Sequence, residues 1–305
     1  MLARPFEWRD LPYLHAFREQ TLFLDSALVL TRGPLQVLGS MLSAVLPTAG
    51  LFTAVVQDER HPRARLMGQI MRLKEAPVAR LVFLSPERFI RGDFFIPLLR
   101  LLARQAAAGD ALRLLAEMES DHEVFPLLRK GGFVPYGKQR IWRFSPGTLP
   151  TCDGDSPWRM ASGQDAFAVQ QLYARIAPPS VQQVFPRLPD AERGLVYARD
   201  GVVLGYAALQ YGLRGVFVRP LLQPDLDTSV FRSMLGTLAS LSFLRGRPLY
   251  IGVTADQGWL EGILETLNAR PGPEQTLLVK HLTAPFLRQT KPLLHSAHQP
   301  GSIVL

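Results

Sequence analysis

Residues 79–106 read ARLVFLSPERFIRGDFFIPLLRLLARQA, and they contain a strand, a short basic loop and a helix in immediate succession. Residues 81–84 form a continuous apolar run of strand length, typical of a strand covered on both faces, and Ser85-Pro86 ends it. From Phe95 onward, apolar residues recur at three- and four-residue spacing, which predicts an amphipathic helix. The stretch therefore predicts an α/β fold.

The loop between this strand and helix contains Arg88, Arg91 and Gly92. The first turn of a helix has unpaired N–H groups and partial positive charge, so arginines and a glycine there suit a pyrophosphate. Strand–loop–helix units without a ligand are also common in α/β proteins. The loop alone therefore leaves both interpretations open.

The chain has 305 residues, of which 47% are hydrophobic and 20% charged. This length suits two domains of roughly 140 residues each, and the composition is that of a globular protein. The single cysteine, Cys152, excludes an intramolecular disulfide, and the six histidines lack metal-ligand spacing, so we expect no metal site. Without an export signal or a run of about 20 apolar residues, we expect a cytoplasmic protein without a membrane partner.

The formal net charge is +8, and arginine far outnumbers lysine. Arginine favours planar, bidentate contacts with phosphate and carboxylate, which suits an anionic ligand. A bias toward arginine is also produced by genome composition, and the arginines here are scattered. No basic run alternates with aromatic residues, so we expect no nucleic-acid partner.

The predicted elements occur twice in the same order: a strand, a capped helix, a hairpin with an interior glycine, a strand ending in proline, a helix, a strand, a short helix and a closing strand. In the first copy, the helix capped by Asp10 is expected to extend to about Leu46. The matched positions are Arg4 and Arg159, Asp10 and Asp165, Gly68 and Gly205, and Pro86 and Pro220.

A segment rich in Pro, Gly, Ser and Asp separates the two copies and has the composition of a linker. We expect an N-terminal domain at residues 1–147, a linker at 148–156, a C-terminal domain at 157–288 and a tail at 289–305.

Four features carry a resemblance to a known family: Arg4 with Asp10-Leu-Pro12, the hairpin glycine Gly68, the strand end Ser85-Pro86 with Arg91-Gly92 beyond it, and LLRKGGFVPY at residues 127–136. Their order resembles the GNAT superfamily of acyl-CoA N-acyltransferases. The chain looks like a tandem of two such domains over roughly residues 1–288. The resemblance implies a mixed α+β sheet whose fourth and fifth strands splay apart, with acyl-CoA in the gap.

The resemblance also implies acetyl-CoA as co-substrate, bound by the first copy. The second copy has no glycine in its loop and places Asp225 and Asp227 where phosphate charge would lie, so we expect repulsion there. The implied cofactor-binding residues of the first copy are Leu84, Arg88, Phe89, Arg91, Gly92, Asp93 and Phe94.

The family often uses a tyrosine in the late short helix to protonate the leaving thiolate, but the matching positions here are Leu128 and Leu264. Glu117, Glu119 and Asp121 lie at the end of the fifth strand of the first copy, near where the resemblance places the acceptor amine. We select Glu119 as the candidate general base and Tyr136 as the candidate acid.

The resemblance thus implies an acyl-CoA-dependent N-acyltransferase, acting on a primary amine of a small molecule or peptide, with the N-terminal copy catalytic. Because both loops depart from the family's pyrophosphate-loop pattern, an alternative stays open: a catalytically inactive tandem module for ligand sensing or protein interaction.

Overall fold

The computed structural model describes residues 1–34, 50–61, 63–73, 77–150, 156–189, 191–241, 244 and 246–282. The strands are β1 (Leu2–Pro5), β2 (Leu22–Phe23), β3 (Leu51–Gln57), β4 (Arg65–Arg72), β5 (Val78–Ser85), β6 (Arg113–Glu119), β7 (Val134–Phe144), β8 (Trp158–Met160), β9 (Gly194–Arg199), β10 (Val202–Tyr211), β11 (Val216–Leu222), β12 (Leu249–Thr254) and β13 (Arg270–His281). The α-helices are α1 (Leu11–Ala16), α2 (Ser26–Arg32), α3 (Phe95–Ala108), α4 (Phe125–Lys130), α5 (Ala166–Ile176), α6 (Pro179–Val184), α7 (Thr228–Ser240) and α8 (Leu260–Thr266).

The described strands form one continuous sheet in the order β1-β3-β4-β5-β6-β13-β7-β12-β11-β10-β9-β8, and β2 pairs with β5. Strands β1 to β7 belong to the first repeat and strands β8 to β13 to the second. The pairs β5/β6 and β11/β12 are parallel, and each is preceded by an antiparallel hairpin. The repeated element order predicted from the sequence is confirmed.

The closing strands of the two repeats are exchanged. Strand β13 of the second repeat pairs with β6 of the first, and β7 of the first repeat pairs with β12 of the second. The two exchanged strands also pair with each other in the middle of the sheet. Each repeat therefore completes its sheet with a strand from the other.

Helices cover both faces of the sheet. On one face, α3 packs on the first repeat and α7 and α8 pack on the second, over two buried clusters. Leu278 of β13 belongs to the first of these clusters, and Trp142 and Phe144 of β7 belong to the second. The strand exchange thus extends into both cores, and the opposite face carries α1, α2, α5 and α6.

Both repeats begin with the same salt bridge between an arginine and the aspartate six residues later, and we call each of these two salt bridges an ionic clasp. The guanidinium of Arg4 donates to both oxygens of Asp10 (2.6 and 2.8 Å), and that of Arg159 donates to both oxygens of Asp165 (2.7 and 2.6 Å). The Asp10 side chain is fully buried and also accepts from Arg65, whereas Arg159 is 55% exposed. The six-residue spacing seen in the sequence therefore reflects one repeated structure.

Two local predictions are wrong, and a third is confirmed in position but not in its hydrogen bond. The helix after Asp10 ends at Ala16 instead of continuing, because residues 22–24 form hydrogen bonds with strands. The part of the predicted helix over residues 35–49 lies outside the described residues. Asp10 occupies the N-cap position of α1 as predicted, but its carboxylate accepts from the Glu7 amide rather than from α1. Pro220 does not match Pro86. Val78 and Val216 each begin a parallel strand pair and are therefore equivalent, and this equivalence places Pro220 inside β11.

The domain boundaries stay a prediction. Residues 151–155 of the predicted linker and the predicted tail at 289–305 lie outside the described residues.

Candidate functional site

Both parallel strand pairs diverge after three paired residues. Strands β5 and β6 pair from Val78 to Arg80, and strands β11 and β12 pair from Val216 to Val218. We call the space beyond these pairs the first gap and the second gap. These are the places where the sequence resemblance locates acyl-CoA.

The first gap is filled by the protein's own main chain. Leu22 and Phe23 pair with β5, and the Leu24 amide donates to the carbonyl of Val82 (2.9 Å). On the other side, the Glu117 amide of β6 donates to the carbonyl of Leu24 (2.9 Å). Residues 22–24 therefore join β5 to β6 as an added strand would.

The second gap is closed by a side chain. The amide group of Gln257 accepts from the Leu222 N–H (3.0 Å) and donates to the Leu222 carbonyl (3.1 Å), and Gln257 is buried. Pro220 lies between these bonds and the paired part of β11, and it has no N–H to offer. Strand β11 consequently presents few backbone donors to the second gap.

Six of the seven predicted cofactor residues lie between β5 and α3, and Leu84 lies in β5. Arg91 is exposed and forms an ion pair with Glu123, and the Arg88 guanidinium lies over the rings of Phe17 and Phe89 (4.6 and 4.9 Å). Phe89 and Phe94 pack against the first core, and Leu84 is buried in β5, where it pairs with Leu22.

A Cβ added at Gly92 would make ordinary van der Waals contact, with its nearest neighbour, a ring atom of Phe94, at 3.5 Å. Asp93 lies in the same loop, two residues before α3. The corresponding helix of the second repeat, α7, begins with the Asp227 carboxylate accepting from the Ser229 amide (2.7 Å), as the sequence predicts for its N-cap.

A cavity of about 570 Å³ lies on the sheet face that carries α2, α5 and α6, and we call it the central cavity. Both repeats line it, and none of the seven predicted cofactor residues does. Its charged floor contains Asp25, Arg80 and Glu117 of the first repeat and Arg219 of the second.

Two ion pairs organise this floor. Arg80 Nη1 donates to Asp25 Oδ1 (3.3 Å), and Arg219 Nη2 donates to Glu117 Oε1 (3.1 Å). Burial lowers the pKa of Arg80, but the charges of Asp25 and Glu117 outweigh it and hold that pKa above its ordinary value. The floor is thus a charged network in a largely apolar chamber.

The two candidate catalytic residues lie in different places. Tyr136 lines the central cavity, where burial, reinforced by the charge of Glu117, raises the pKa of its phenol. The phenol therefore stays protonated and is a weaker acid than free tyrosine. Glu119 lines a second cavity of about 510 Å³, across α2 from the first.

Sequence reasoning selected Glu119 and missed Glu117, Arg80, Asp25 and Arg219 as a cluster. A signal for the two arginines was present, because each interrupts an apolar strand, in ARLVFL and in VFVRPLL. A charged side chain in a buried strand is costly unless it is paired, so such a residue predicts a buried partner. The identity of that partner depends on the pairing of distant strands.

Within the described residues, no helix is long and apolar enough to cross a membrane. The same residues contain no group of three or more His, Cys, Asp or Glu side chains placed to hold a metal ion.

No protein-family model matches the chain, and the search of curated proteins found no match. Solved structures do match. A GCN5-related N-acetyltransferase from Sphaerobacter thermophilus aligns with a TM-score of 0.56 at 12% identity, covering 92% of this chain and 95% of that one. A tandem GNAT protein from the clavulanic acid biosynthesis pathway aligns with a TM-score of 0.54 at 16% identity, covering 92% and 98%.

These similarities and the two repeats establish the class: the chain has the GNAT fold in its tandem form. The fold expected from the sequence is confirmed. At this level of identity the likeness concerns the fold, and the function is argued from the site.

Proposed function

We propose that the protein is an acyl-CoA-dependent N-acyltransferase that uses acetyl-CoA and holds an amine acceptor in the central cavity. The observation that carries this proposal is the position of the cavity. It lies on one face of a tandem GNAT sheet and is lined by β6, which borders the first gap, and by β11 and β12, which border the second. An acceptor there would face the gaps in which the fold accommodates an acyl-CoA.

The chemistry needs few groups. The amine nitrogen attacks the thioester carbonyl, a C–N bond forms, the C–S bond breaks, and the proton lost by the amine ends on the departing thiolate. Orientation and exclusion of water can supply much of the rate enhancement. Glu119 as base and Tyr136 as acid remain part of the proposal, although Glu117 lines the central cavity and Glu119 does not.

A comparison of the two loops supports the first repeat as the cofactor-binding one. Packing does not require glycine at position 92, and a glycine lets a phosphate approach the backbone closely. Arg91 is 56% exposed beside it. At the start of α7, by contrast, the Asp227 carboxylate already accepts a hydrogen bond from a backbone amide of the helix and adds negative charge.

For acyl-CoA to enter the first gap, residues 22–24 must leave it. This displacement costs free energy. The apparent affinity for acyl-CoA therefore equals the intrinsic affinity multiplied by the fraction of molecules in which the gap is open. Replacing Phe23, which packs edge-on against Phe83 (6.5 Å), weakens the segment. Phe23→Ala should therefore bind acetyl-CoA more tightly than the wild type.

One observation favours a second candidate, a ligand-binding module without turnover. Both gaps are closed by groups of the chain itself, residues 22–24 in the first and Gln257 in the second. In that case the central cavity would bind its ligand without acyl-CoA.

Isothermal titration with acetyl-CoA and a thiol-release assay over a panel of primary amines separate the two candidates. We expect Arg91→Glu to weaken acetyl-CoA binding by tenfold or more, about 1.4 kcal/mol. Arg104→Glu is the matched control, with the same charge change at an exposed position in α3. Equal affinities for wild type and Arg91→Glu would contradict the first-repeat assignment. Absence of both acetyl-CoA binding and thiol release would support the second candidate.

A further inference from the structure

The floor of the central cavity has unused hydrogen-bond donors but no unused carboxylate oxygen. Asp25 Oδ1 accepts from the Leu28 amide (3.1 Å) and from Arg80, and Oδ2 accepts from Arg80 (3.4 Å). Glu117 Oε2 accepts from the Ser26 amide (3.1 Å), and Oε1 accepts from Arg219. Each of the four oxygens already has at least one donor.

The arginines are less completely used. A guanidinium has five N–H groups. Within the described residues, Arg80 uses only Nη1, and its Nε is buried without an acceptor. Arg219 donates one hydrogen bond there, from Nη2, and its side chain is 32% exposed.

Tyr136 adds a further donor. Tyr136 lines the cavity, its hydroxyl has no hydrogen-bond partner among the described residues, and its raised pKa keeps the O–H in place. The N–H and O–H groups of the floor that have no partner are therefore available to a hydrogen-bond acceptor, whereas every carboxylate oxygen already has a donor.

The guanidinium groups of the floor indicate the sign of this acceptor. Four arginines and three carboxylates line it, which leaves one positive charge in excess. This excess lies on the exposed residues Arg32, Arg193 and Asp256, and the four-residue floor is neutral, so the sign follows from the donors that remain. A guanidinium binds a carboxylate more strongly than a neutral acceptor and matches its two oxygens. The charged lining residues are Arg32, Arg80, Arg193, Arg219, Asp25, Glu117 and Asp256.

The rest of the lining is apolar and large enough for a sizeable body. Apolar lining residues are Val181 from α6, Phe185 directly after α6, Leu28 from α2 and Phe217 from β11. A benzene ring fits an apolar cavity of about 150 Å³, and the central cavity holds about 570 Å³. A ligand with several apolar groups, aromatic or aliphatic, matches this space.

We propose that the central cavity binds an apolar monocarboxylate, with its carboxylate against Arg219 and Arg80 and its apolar body between α2, α6 and the sheet. The site is built from both repeats, since Arg219 comes from the second and Arg80 from the first. Binding does not depend on acyl transfer. If the acyltransferase proposal also holds, the acceptor is an amine that carries a carboxylate.

Titration calorimetry without acyl-CoA tests the proposal on the wild-type protein. The probes are decanoate and naphthalene-2-acetate, compared with decan-1-ol, decylamine and decyl phosphate. We expect at least one of the two carboxylates to bind, and each that binds to do so tenfold or more tightly than the alcohol and the amine. The proposal is overturned if neither carboxylate binds, if the amine binds as tightly, or if the phosphate binds more tightly.

A pair of variants locates the head group. Arg219→Gln should weaken carboxylate binding by tenfold or more while changing the affinity for decan-1-ol by less than twofold. Arg199→Gln, which removes the same charge at an exposed position of β9, should change neither. Thermal melts confirm that both variants fold. Equal losses for acid and alcohol in Arg219→Gln, or an unchanged acid affinity, would place the carboxylate elsewhere; if Arg219→Gln does not fold, Arg219→Lys with the same probes decides.

Discussion

The two gaps of the sheet are closed in different ways. In the first repeat, three residues of main chain lie between β5 and β6 and bond to both. In the second repeat, one glutamine amide satisfies a single backbone residue, Leu222, and Pro220 removes a donor beside it. A primary amide side chain has the same donor and acceptor as a peptide group, so one residue substitutes for part of a strand. The repeats share a fold but not the means of completing it.

The strand exchange makes the repeats dependent on each other, and separating them tests this most severely. Residues 1–150 lack β13, which leaves the edge of β6 unpaired and removes Leu278 from the first core. We expect residues 1–150 and 156–305, expressed separately, to lose the cooperative unfolding transition, a loss on the order of 5–15 kcal/mol.

Co-expression is the control for this experiment. The two fragments produced together should form a soluble complex with a cooperative transition in urea. A fragment 1–150 that unfolds cooperatively on its own would show that the exchanged strand is dispensable.

The ionic clasps of the two repeats should differ in their contribution to stability. Asp10 is fully buried and serves both Arg4 and Arg65, so Asp10→Asn leaves two guanidinium groups short of a charge partner. Breaking a buried pair costs about 3–5 kcal/mol. Asp165→Asn affects an arginine that is 55% exposed, and we expect a loss of about 1 kcal/mol.

Urea denaturation of the two variants measures both losses under the same conditions. Equal losses at the two positions would mean that burial does not distinguish the clasps.

The closure of the second gap predicts a smaller effect. Gln257→Leu keeps the volume but leaves the Leu222 N–H and carbonyl without partners in a buried position. Each unsatisfied buried group costs about 1–3 kcal/mol, and water entering the gap reduces the cost, so we expect a total near 2 kcal/mol. Gln105→Leu, on the exposed side of α3, should stay within about 0.5 kcal/mol of the wild type. A Gln257→Leu protein as stable as the control would show that the amide does not close the gap.

The smallest expected effect is the pH dependence of the second clasp. The hydrogen bonds from Arg159 lower the pKa of Asp165 despite the opposing effect of burial, and the Ser162 amide lowers it further. A lowered carboxyl pKa contributes stability above the unfolded-state pKa of about 3.9, and that contribution is lost as the pH falls toward the folded-state pKa.

The stability difference between wild type and Asp165→Asn should therefore be constant from pH 7 to 5 and should shrink below about pH 4. Urea midpoints at these pH values measure it. A difference that grows on acidification would have the wrong sign for this ion pair.

The sequence by itself determined the repeated element order, because apolar periodicity, helix caps and glycines at tight approaches are local properties. The hairpins, the Asp227 cap and the paired clasps Arg4–Asp10 and Arg159–Asp165 follow from such signals. The fold class followed from their order.

The tertiary structure decided the exchange of β7 and β13, the filling of the gaps and the location of the charged floor. Strand order depends on which distant backbones pair, and two similar closing strands have the same pattern in either position. The pairing of Glu117 with Arg219, 102 residues away, exists only because the exchanged strands bring the two repeats onto one sheet. No local pattern encodes that distance, and so the sequence pointed to Glu119 while the structure placed Glu117 in the cavity.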